Sequence, residues 1–423
     1  MSVTLVSVGD ELLVGQVVNT NAAWLGEYLT GIGMMPVRSV VVGDSIELID
    51  TELCDAFSLS DLVVVTGGLG PTHDDVTRHA VARFLGVGLH LEEKWFGLIE
   101  RRFSQRGMTV PERNRIQAMI PDGMEVLANR VGTAPGFWKS WVAESGPKAI
   151  AVLPGVPGEM KSMMEEQVRP RLEPLTKSPV RQITLQTTGI GESHLQELLA
   201  AEVEGLSDIL SLAYLPSLFG VRLRITERLE HGGTGEAAER LANRLTDLAG
   251  VHVYGRGEDR LEAVVGKMLE RSGQTVAVAE SCTGGAICNL LTNVAGASVY
   301  VAGGVVAYSN RLKRDVLKVE DSVIVEHGAV SEAVATGMAR GVRLLSGADV
   351  GLSTTGILGP AGGTPSKPVG TVWIAYVDRH GEEARQLSLG QDRLKNKQRA
   401  VAATLDLLRR RLMEADSGGR EAV

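Results

Sequence analysis

Cysteine is scarce in this chain. Cys54, Cys282 and Cys288 cannot all pair, and none lies in a Cys-x-x-Cys spacing, so neither a disulfide framework nor a zinc knuckle is indicated and the expected compartment is reducing cytoplasm. The eight histidines are scattered without ligand spacing and read as structural or surface residues. Basic excess is missing as well: a net charge of −8 argues against a general nucleic-acid surface and leaves room only for local basic patches around small anions. No apolar run reaches the roughly 18 residues of a membrane span. Met1 to Gly15 carries Asp10 and Glu11 instead of a basic leader, so no signal peptide is expected either. What is present is ordinary globular material, 44% apolar over 423 residues, enough for two or three domains.

The first half is organised around Leu62 to Thr77, Leu-Val-Val-Val-Thr-Gly-Gly-Leu-Gly-Pro-Thr-His-Asp-Asp-Val-Thr. The β-branched run predicts a buried parallel strand that ends in Gly67, Gly68 and Gly70, where backbone can approach a ligand closely. Thr72, Asp74 and Asp75 then precede a helical pattern, which brings free amides and a positive helix end to the glycines. That is an anion site with carboxylates beside it, and a divalent cation bridging carboxylate to phosphate would relieve the conflict of charge. A plain strand-to-helix turn with Asp75 as cap is the competing reading. Around it, strands are expected at Val3 to Val8, Pro36 to Val42 and Ala149 to Leu153. Helices are expected at Ala22 to Leu29 behind Asn19 or Thr20, at Ile46 to Phe57 and at Leu91 to Arg106. Alternating strands and helices give an α/β layer with a mostly parallel sheet, whose carboxyl edge would collect the Asp10 and Gly67 loops. Asn129 to Gly136 and Pro154 to Met160 are turn-rich loops after apolar segments.

A smaller α+β segment follows. Strands are expected at Arg181 to Thr187, near Ile209 to Leu215, at Val221 to Thr226 and at Val251 to Tyr254. Helices are expected at Leu195 to Val203, capped by Ser193, and at Ala237 to Leu248. Gly189-Ile-Gly191-Glu192 sets an acidic residue where an RNA phosphate would lie, which favours a spacer or dimerisation role over RNA binding.

After a polar linker, Gly255 to Asp259, a helix at Leu261 to Glu270 and a strand at Val276 to Ala279 lead into Ala279-Glu-Ser-Cys-Thr-Gly-Gly-Ala286. A small nucleophile after a strand, backed by glycines and a helix start, offers an exposed oxygen and free amides for an oxyanion or a phosphate. Ser281 or Thr283 as a mere helix cap is the bland alternative. Downstream, Tyr308 and Lys313 offer a base without any histidine, although alone they would read as a core-edge aromatic and a solvated lysine. Thr355-Gly-Ile-Leu-Gly-Pro-Ala-Gly-Gly363 repeats the strand-then-glycine pattern. Ser281 and Cys282 are adjacent candidates for the nucleophile, and their side chains must diverge.

Three motifs of the first segment, Thr66-Gly-Gly-Leu-Gly-Pro-Thr-His-Asp-Asp-Val-Thr77, Gly132-Thr-Ala-Pro-Gly136 and Leu153-Pro-Gly-Val-Pro-Gly-Glu-Met160, resemble the amino-terminal domain of the CinA family of competence- and damage-inducible proteins. That domain is similar to the molybdopterin-binding fold of MoaB-type proteins. In CinA proteins it is associated with metal-dependent cleavage of ADP-ribose to AMP and ribose 5-phosphate. The resemblance implies Gly67, Gly68, Gly70 and Thr72 on phosphate, Asn21 and Asn129 on substrate, and Asp74, Asp75 and Asp10 on a divalent metal such as Mg2+. The middle segment resembles the KH-like module of the same family.

Ala279-Glu-Ser-Cys-Thr-Gly-Gly285, Ala307-Tyr-Ser-Asn-x-x-Lys313 and the Thr355 to Gly363 motif resemble the carboxy-terminal CinA domain, a nicotinamide mononucleotide (NMN) deamidase also found as the free-standing PncC protein. This implies Ser281 as nucleophile, Lys313 and Tyr308 as its activating pair, and Thr283, Gly284, Gly285, Asn310, Thr355, Gly356 and Arg393 as substrate contacts, without a cofactor. Two departures stand out: Leu358 where the family usually has alanine, and Lys397 where a second arginine is common.

The expected organisation is therefore α/β, with a MoaB-like three-layer domain over 1–172, a KH-like α+β module over 176–254 and an α/β deamidase domain over 259–415. The resemblance implies a bifunctional hydrolase of pyridine-nucleotide recycling whose partners are small nucleotides, not nucleic acid or membrane, with an isologous homodimer as the default assembly. The alternatives are a recruitment protein for competence or repair with vestigial sites, and molybdopterin binding with adenylyl transfer.

Overall fold

Continuous apolar runs become strands buried on both faces, and in this chain they stack into two separate α/β layers. The structure is a computed structural model describing residues 1–105, 107–175, 180–229 and 234–420, with side chains to 415. Two compact units divide it, Met1–Arg181 with Arg228–Thr234, and Gln182–Glu227 with Gly235–Val423.

In the first unit the order is β1 (Val3–Val8), α1 (Asp10–Leu13), α2 (Thr20–Gly31), β2 (Pro36–Val42), α3 (Ile46–Leu59), β3 (Leu62–Thr66), α4 (Thr77–Leu85), β4 (Leu89–Leu91), α5 (Glu93–Ser104), β5 (Met119–Pro121), β6 (Glu125–Leu127), β7 (Gly136–Ala143), β8 (Gly146–Leu153), α6 (Pro157–Met163) and α7 (Arg169–Leu172). The main sheet runs β2-β1-β3-β8-β7-β6, parallel from β2 to β8 and antiparallel beyond. Alternation along the strands sorts the core into two. Leu5, Val64 and Ala151 pack on one face against Leu25 and Met160, and Val6, Val65 and Val152 pack on the other against Leu53 and Val81. This is the three-layer MoaB-like arrangement. The expected cap of the second helix is present, with Asn19 accepting from the Ala22 amide. Leu91 closes β4 instead of opening a helix, and Arg106, the far end of that expectation, lies outside the described residues.

The second unit begins with the KH-like module: β9 (Val180–Thr187), α8 (Glu192–Glu204), β10 (Leu210–Pro216), β11 (Val221–Arg228), α9 (Glu236–Ala249) and β12 (Val253–Arg256), with sheet order β10-β11-β9-β12. Residues 176–179, where this module was expected to start, lie outside the described residues. Ser193 is not a cap: the helix starts one residue earlier behind Gly191, with no side-chain cap. The expected linker is partly strand, because β12 runs through Arg256.

The third domain comprises α10 (Leu261–Ser272), β13 (Val276–Glu280), α11 (Ala286–Thr292), β14 (Val301–Val306), α12 (Asn310–Asp315), α13 (Asp321–His327), α14 (Glu332–Ser346), β15 (Val350–Gly356), β16 (Thr371–Val377), β17 (Glu382–Ser388) and α15 (Arg393–Arg420). Its sheet, β14-β13-β15-β16-β17, is parallel across β14, β13 and β15 and antiparallel after that. Val276, Val278 and Leu352 face α10 and α15, while Ala277 and Ala279 face Val334 and Met338 of α14. Among the described residues no helix is long and apolar enough to cross a membrane.

Helix α15 also ties the third domain to the KH-like module. Asp406, 4% exposed, accepts from Arg409 at 2.6 Å and from Arg410 at 2.8 Å. Arg409 continues to the Val251 carbonyl, and Arg410 contacts His252 Nδ1 at 3.3 Å. A Cβ at Gly189 would meet Arg410 and Asp406 at 2.7 Å, so the glycine turn of the module is packed under α15. Removing one member of a buried ion pair strands the other, at a typical cost of about 3–5 kcal/mol. Asp406→Ala is therefore expected to lower the unfolding free energy of this unit, read from urea unfolding, by an amount in that range, with Asp406→Asn milder; an unfolding free energy unchanged in Asp406→Ala would remove this cluster as the tie.

Candidate active sites

The first site lies in a cleft of about 750 Å3 at the carboxyl edge of the parallel strands, lined by Asp10, Asn21, Asp44, Gly67, Gly68 and Asp74 among others. Its floor is the glycine turn, and the turn's backbone bonding explains its shape. The Gly67 carbonyl accepts from Thr77 Oγ1 at 2.9 Å and the Gly68 carbonyl from the Thr77 amide at 3.2 Å. The Leu69 and Gly70 carbonyls accept from Arg78 Nη2 at 2.5 and 3.3 Å. All four carbonyls are thus tied to the first two residues of α4. In a planar trans peptide the following N–H points the opposite way, and the amides of Gly68 and Leu69 have no acceptor among the described residues. They form an anion nest. Glycine is required here: Gly67 and Gly68 have φ of 101° and 66°, and a Cβ would sit 2.2 Å from the Val8 carbonyl and 2.1 Å from Thr77 Oγ1.

Asp75 closes the loop. Its carboxylate accepts from the Gly70 amide at 2.6 Å, the Thr72 amide at 2.8 Å and Thr72 Oγ1 at 2.5 Å. Its oxygens are spent on the turn, which departs from the expectation of a metal ligand, and Thr72 is engaged with it. Asp74 is exposed and pairs with His73 at 2.8 Å. Asn21 donates to the Gly155 carbonyl at 2.7 Å, and its Oδ1 has no partner. Asn129 is not in the cleft. It is 2% exposed, donates to the Ala134 carbonyl and Glu159, and accepts from the Val131 and Gly132 amides, so the expected substrate contact is a loop brace.

Asp44 was not singled out in the sequence. It follows the end of β2, beside β1, and exchanges hydrogen bonds with Asp10, the Asp10 amide to Asp44 Oδ2 at 2.9 Å and the Asp44 amide to Asp10 Oδ1 at 3.2 Å. Burial pushes its carboxyl up, and the carboxylates of Asp10, Glu11 and Asp74 add to this against the pull of the Asp10 amide. Its only signal in the sequence was a Gly-Asp pair at the end of a predicted parallel strand. No group of three or more acidic, histidine or cysteine side chains placed to hold a metal ion occurs among the described residues. The donor set is all oxygen, and Mg2+ typically takes one or two carboxylates plus phosphates and water. Asp10 and Asp44, joined through their amides, fit that mode as a pair, and Asp74 lines the same cleft; Asp75 does not fit, because its oxygens are taken by the loop.

The second site is the turn at the carboxyl end of β13, flanked by β14 and β15. The Ser281 amide donates to the Thr354 carbonyl at 2.9 Å, and Ala307 donates to the Glu280 carbonyl at 2.8 Å. Lys313, 1% exposed on α12, sends Nζ to Ser281 Oγ at 3.1 Å and to the Ala307 carbonyl at 2.9 Å. Burial pulls its pKa below the ordinary 10.5. A neutral amine has the right valences for this position: one N–H for Ala307 and a lone pair for the serine proton. The Cys282 thiol is buried and hydrogen-bonded to Thr354, and burial above all pushes it up to about 12. It stays protonated.

Glu280 was overlooked as an actor, although its place in the motif was visible. It is 1% exposed, and its carboxylate accepts from the amides of Gly285 at 2.9 Å, Ile287 at 3.2 Å and Cys288 at 2.9 Å. Neither Ser281 nor Thr283 caps the helix; Thr283 instead pairs with Thr354 Oγ1 at 2.6 Å. The Gly285 amide is taken by Glu280, whereas the Cys282, Thr283 and Gly284 amides have no acceptor among the described residues.

Tyr308 departs from its expected role as well. Its side chain is 63% exposed, its hydroxyl accepts from Arg393 Nη2 at 3.2 Å, and it has no hydrogen bond to Ser281 or Lys313. Arg393 also donates to the Gly359 carbonyl at 2.9 Å. Thr355 is buried and donates to the Ala329 carbonyl, Gly356 packs on Val372, and Asn310 is exposed at the start of α12. Lys397 Nζ lies 3.6 Å from the position a Cβ would take on Gly284, which sets a cation over the turn one helical turn after Arg393.

A three-layer domain with an anion nest and a second α/β domain carrying a serine–lysine turn define the class, a multidomain protein that joins a MoaB-like part to a separate α/β part. Family models match in the same order: a probable molybdopterin binding domain over residues 4–174, the damage-inducible protein CinA KH domain over 182–255 and the CinA C-terminal domain over 258–412. A CinA-like protein of Salinibacter ruber is 46% identical over 413 residues, 97% of this chain and 100% of the relative. A putative competence-damage inducible protein of Caldicellulosiruptor saccharolyticus is 40% identical over 98% of this chain and all of the relative. A crystal structure of a competence/damage inducible protein from Agrobacterium tumefaciens is 37% identical, covering 35% of this chain and 91% of that one, with a TM-score of 0.35. The chain belongs to the CinA family.

Leaving a buried amide without a partner costs roughly 1–3 kcal/mol, and Glu280 satisfies three. Glu280→Ala is expected to lower the stability of this unit by at least one such increment in urea unfolding, with Glu280→Gln less affected because an acceptor oxygen remains. Equal stability of wild type and Glu280→Ala would show that the turn holds itself.

Proposed function

We propose that the second unit hydrolyses the carboxamide of NMN to nicotinate mononucleotide and ammonia through Ser281 and Lys313. The observation that carries this reading is the 3.1 Å contact between a fully buried lysine amine and a serine oxygen on a turn with unpartnered amides. Neutral Lys313 takes the proton as Ser281 Oγ bonds to the carboxamide carbon. The amides of Thr283 and Gly284 receive the developing oxyanion. The lysine then returns its proton to the departing ammonia, and water, deprotonated by the same amine, hydrolyses the acyl-serine. Lys397 and Arg393 supply positive charge beside the turn for the nucleotide phosphate. Base, nucleophile and oxyanion donors all come from the chain, so the step proceeds without a metal.

For the first unit the proposed reaction is cleavage of ADP-ribose to AMP and ribose 5-phosphate. The Gly68 and Leu69 amides would take a phosphate, and Asp10, Asp44 and Asp74 would hold a divalent cation. When bound, that cation would neutralise phosphate charge and lower the pKa of a water. The cleft has the volume of a nucleotide site.

Loss of a general base typically costs about 10²–10⁴ in rate. Ser281→Ala and Lys313→Ala are each expected to lose ammonia release from NMN by at least that factor, whereas Cys282→Ala stays within about tenfold, about 1.4 kcal/mol. Because the deprotonated amine is the active form, the rate should climb with pH along a limb centred below the ordinary lysine value of 10.5. An active Ser281→Ala beside an inactive Cys282→Ala would transfer the chemistry to the thiol, and inhibition by a chelator would replace the serine route.

The two aspartates of the first cleft should separate. Asp74→Ala is expected to raise the divalent-ion concentration needed for ADP-ribose cleavage while leaving ammonia release unchanged. Asp75→Ala should abolish cleavage at any ion concentration, because the loop opens. An unaltered metal requirement in Asp74→Ala would remove that residue from the cation site.

A further inference from the structure

Arg78 is the largest side chain in the molecule that is fully buried among the described residues. Among the described residues only Nη2 is engaged, with the Leu69 and Gly70 carbonyls, and Nε and Nη1 have no hydrogen-bond partner in the protein. Unpaired donors on a buried cation are costly, and a native fold that keeps them calls for a reason. Packing alone does not supply one, since an apolar side chain would fill the same space without a desolvated charge. The nearest opposite charge is Asp75, but its two oxygens are already engaged by three loop donors. The protein therefore leaves this positive charge under-compensated, on the side of the glycine turn from which all four carbonyls are held.

We propose that Arg78 is a positioning residue of the anion nest, which both anchors the Leu69 and Gly70 carbonyls and sets a fixed positive charge behind the Gly68 and Leu69 amides, so that the cleft favours ligands in proportion to their negative charge, a diphosphate over a monophosphate. The inference rests on the reading of this cleft as a phosphate site. Its physical basis is that a charge in a low-dielectric interior is screened little by water, and that a guanidinium fixed by two carbonyls needs no reorganisation when the anion arrives. The compensating anion is then the ligand, since no carboxylate oxygen of the loop is left over to take that part.

A strut and a charge are told apart by two variants of the full-length protein. Arg78→Gln keeps a donor for the carbonyls and drops the charge, whereas Arg78→Lys keeps the charge with a different donor geometry. Inorganic phosphate and pyrophosphate are titrated into each by calorimetry, both in chelator-treated buffer and with Mg2+ in excess, with urea unfolding as a check that each variant is folded; Arg78→Asn, which also keeps a neutral donor, replaces Arg78→Gln if the latter is not. The wild type is expected to prefer pyrophosphate, Arg78→Lys to keep that preference within about threefold, and Arg78→Gln to lose about tenfold of pyrophosphate affinity, about 1.4 kcal/mol, with a smaller loss for phosphate. If the neutral and charged variants lose both ligands equally, or neither, Arg78 is a strut only and the inference fails while the phosphate reading stands. If the wild type binds neither anion, the phosphate reading fails and takes the inference with it.

Discussion

A backbone N–H can meet a ligand only if the folded chain leaves it without a partner, and a loop that leaves amides free has to fix its remaining polar groups by other means. Both sites obey this constraint, and each solves it with one buried charged side chain. In the first unit the carbonyls of Gly67 to Gly70 are drawn to Thr77 and Arg78, so that planarity turns two amides outward. In the second, Glu280 collects the amides of Gly285, Ile287 and Cys288 and leaves those of Thr283 and Gly284 free. The signs are opposite because the groups to be tied are opposite, carbonyls under a cation and amides around an anion.

The same logic separates serine from cysteine. Adjacent residues on a tight turn cannot face the same way, and here the serine oxygen meets a buried lysine while the thiol is packed beside Thr354, with its pKa raised. Thiolate chemistry needs a stabilised anion, and this pocket disfavours one. Burial acts on the lysine in the other direction, favouring the neutral amine that a base requires. One desolvated environment thus disables one neighbour and equips the other.

Strands and caps were legible because their signals are local. β1 and β2 appear at the expected residues, and Asn19 caps its helix as its type and position suggested. Ser193 shows the limit of such reasoning: its type suits a cap, but the helix expected from Leu195 begins three residues earlier, at Glu192, where Gly191 supplies an extended backbone. Asp75 and Asn129 show a different limit. Both were read as ligand contacts from motif position, and both have their hydrogen-bonding capacity consumed by their own loops. A sequence shows that a polar residue is near a site, but its partners are fixed by the path of the backbone.

Residues that no local pattern could reveal act across elements. Asp44 belongs to the first cleft because β2 lies beside β1 in a parallel sheet, so that two loops separated by more than a helix exchange hydrogen bonds. Arg78 follows a Thr on an amphipathic helix and looks like any arginine one turn from a glycine loop, yet it is fully buried. Tyr308 errs the other way: five residues before Lys313, its spacing suggests a share in the lysine's task, but the strand ends at Val306 and the next helix starts at Asn310, which carries the two side chains apart. The lysine turns inward to the serine, and the tyrosine meets Arg393 of α15 at the rim. That position does not suit moving a proton within the site, because a hydroxyl that already accepts from a guanidinium and faces solvent is poorly placed to tune a buried amine.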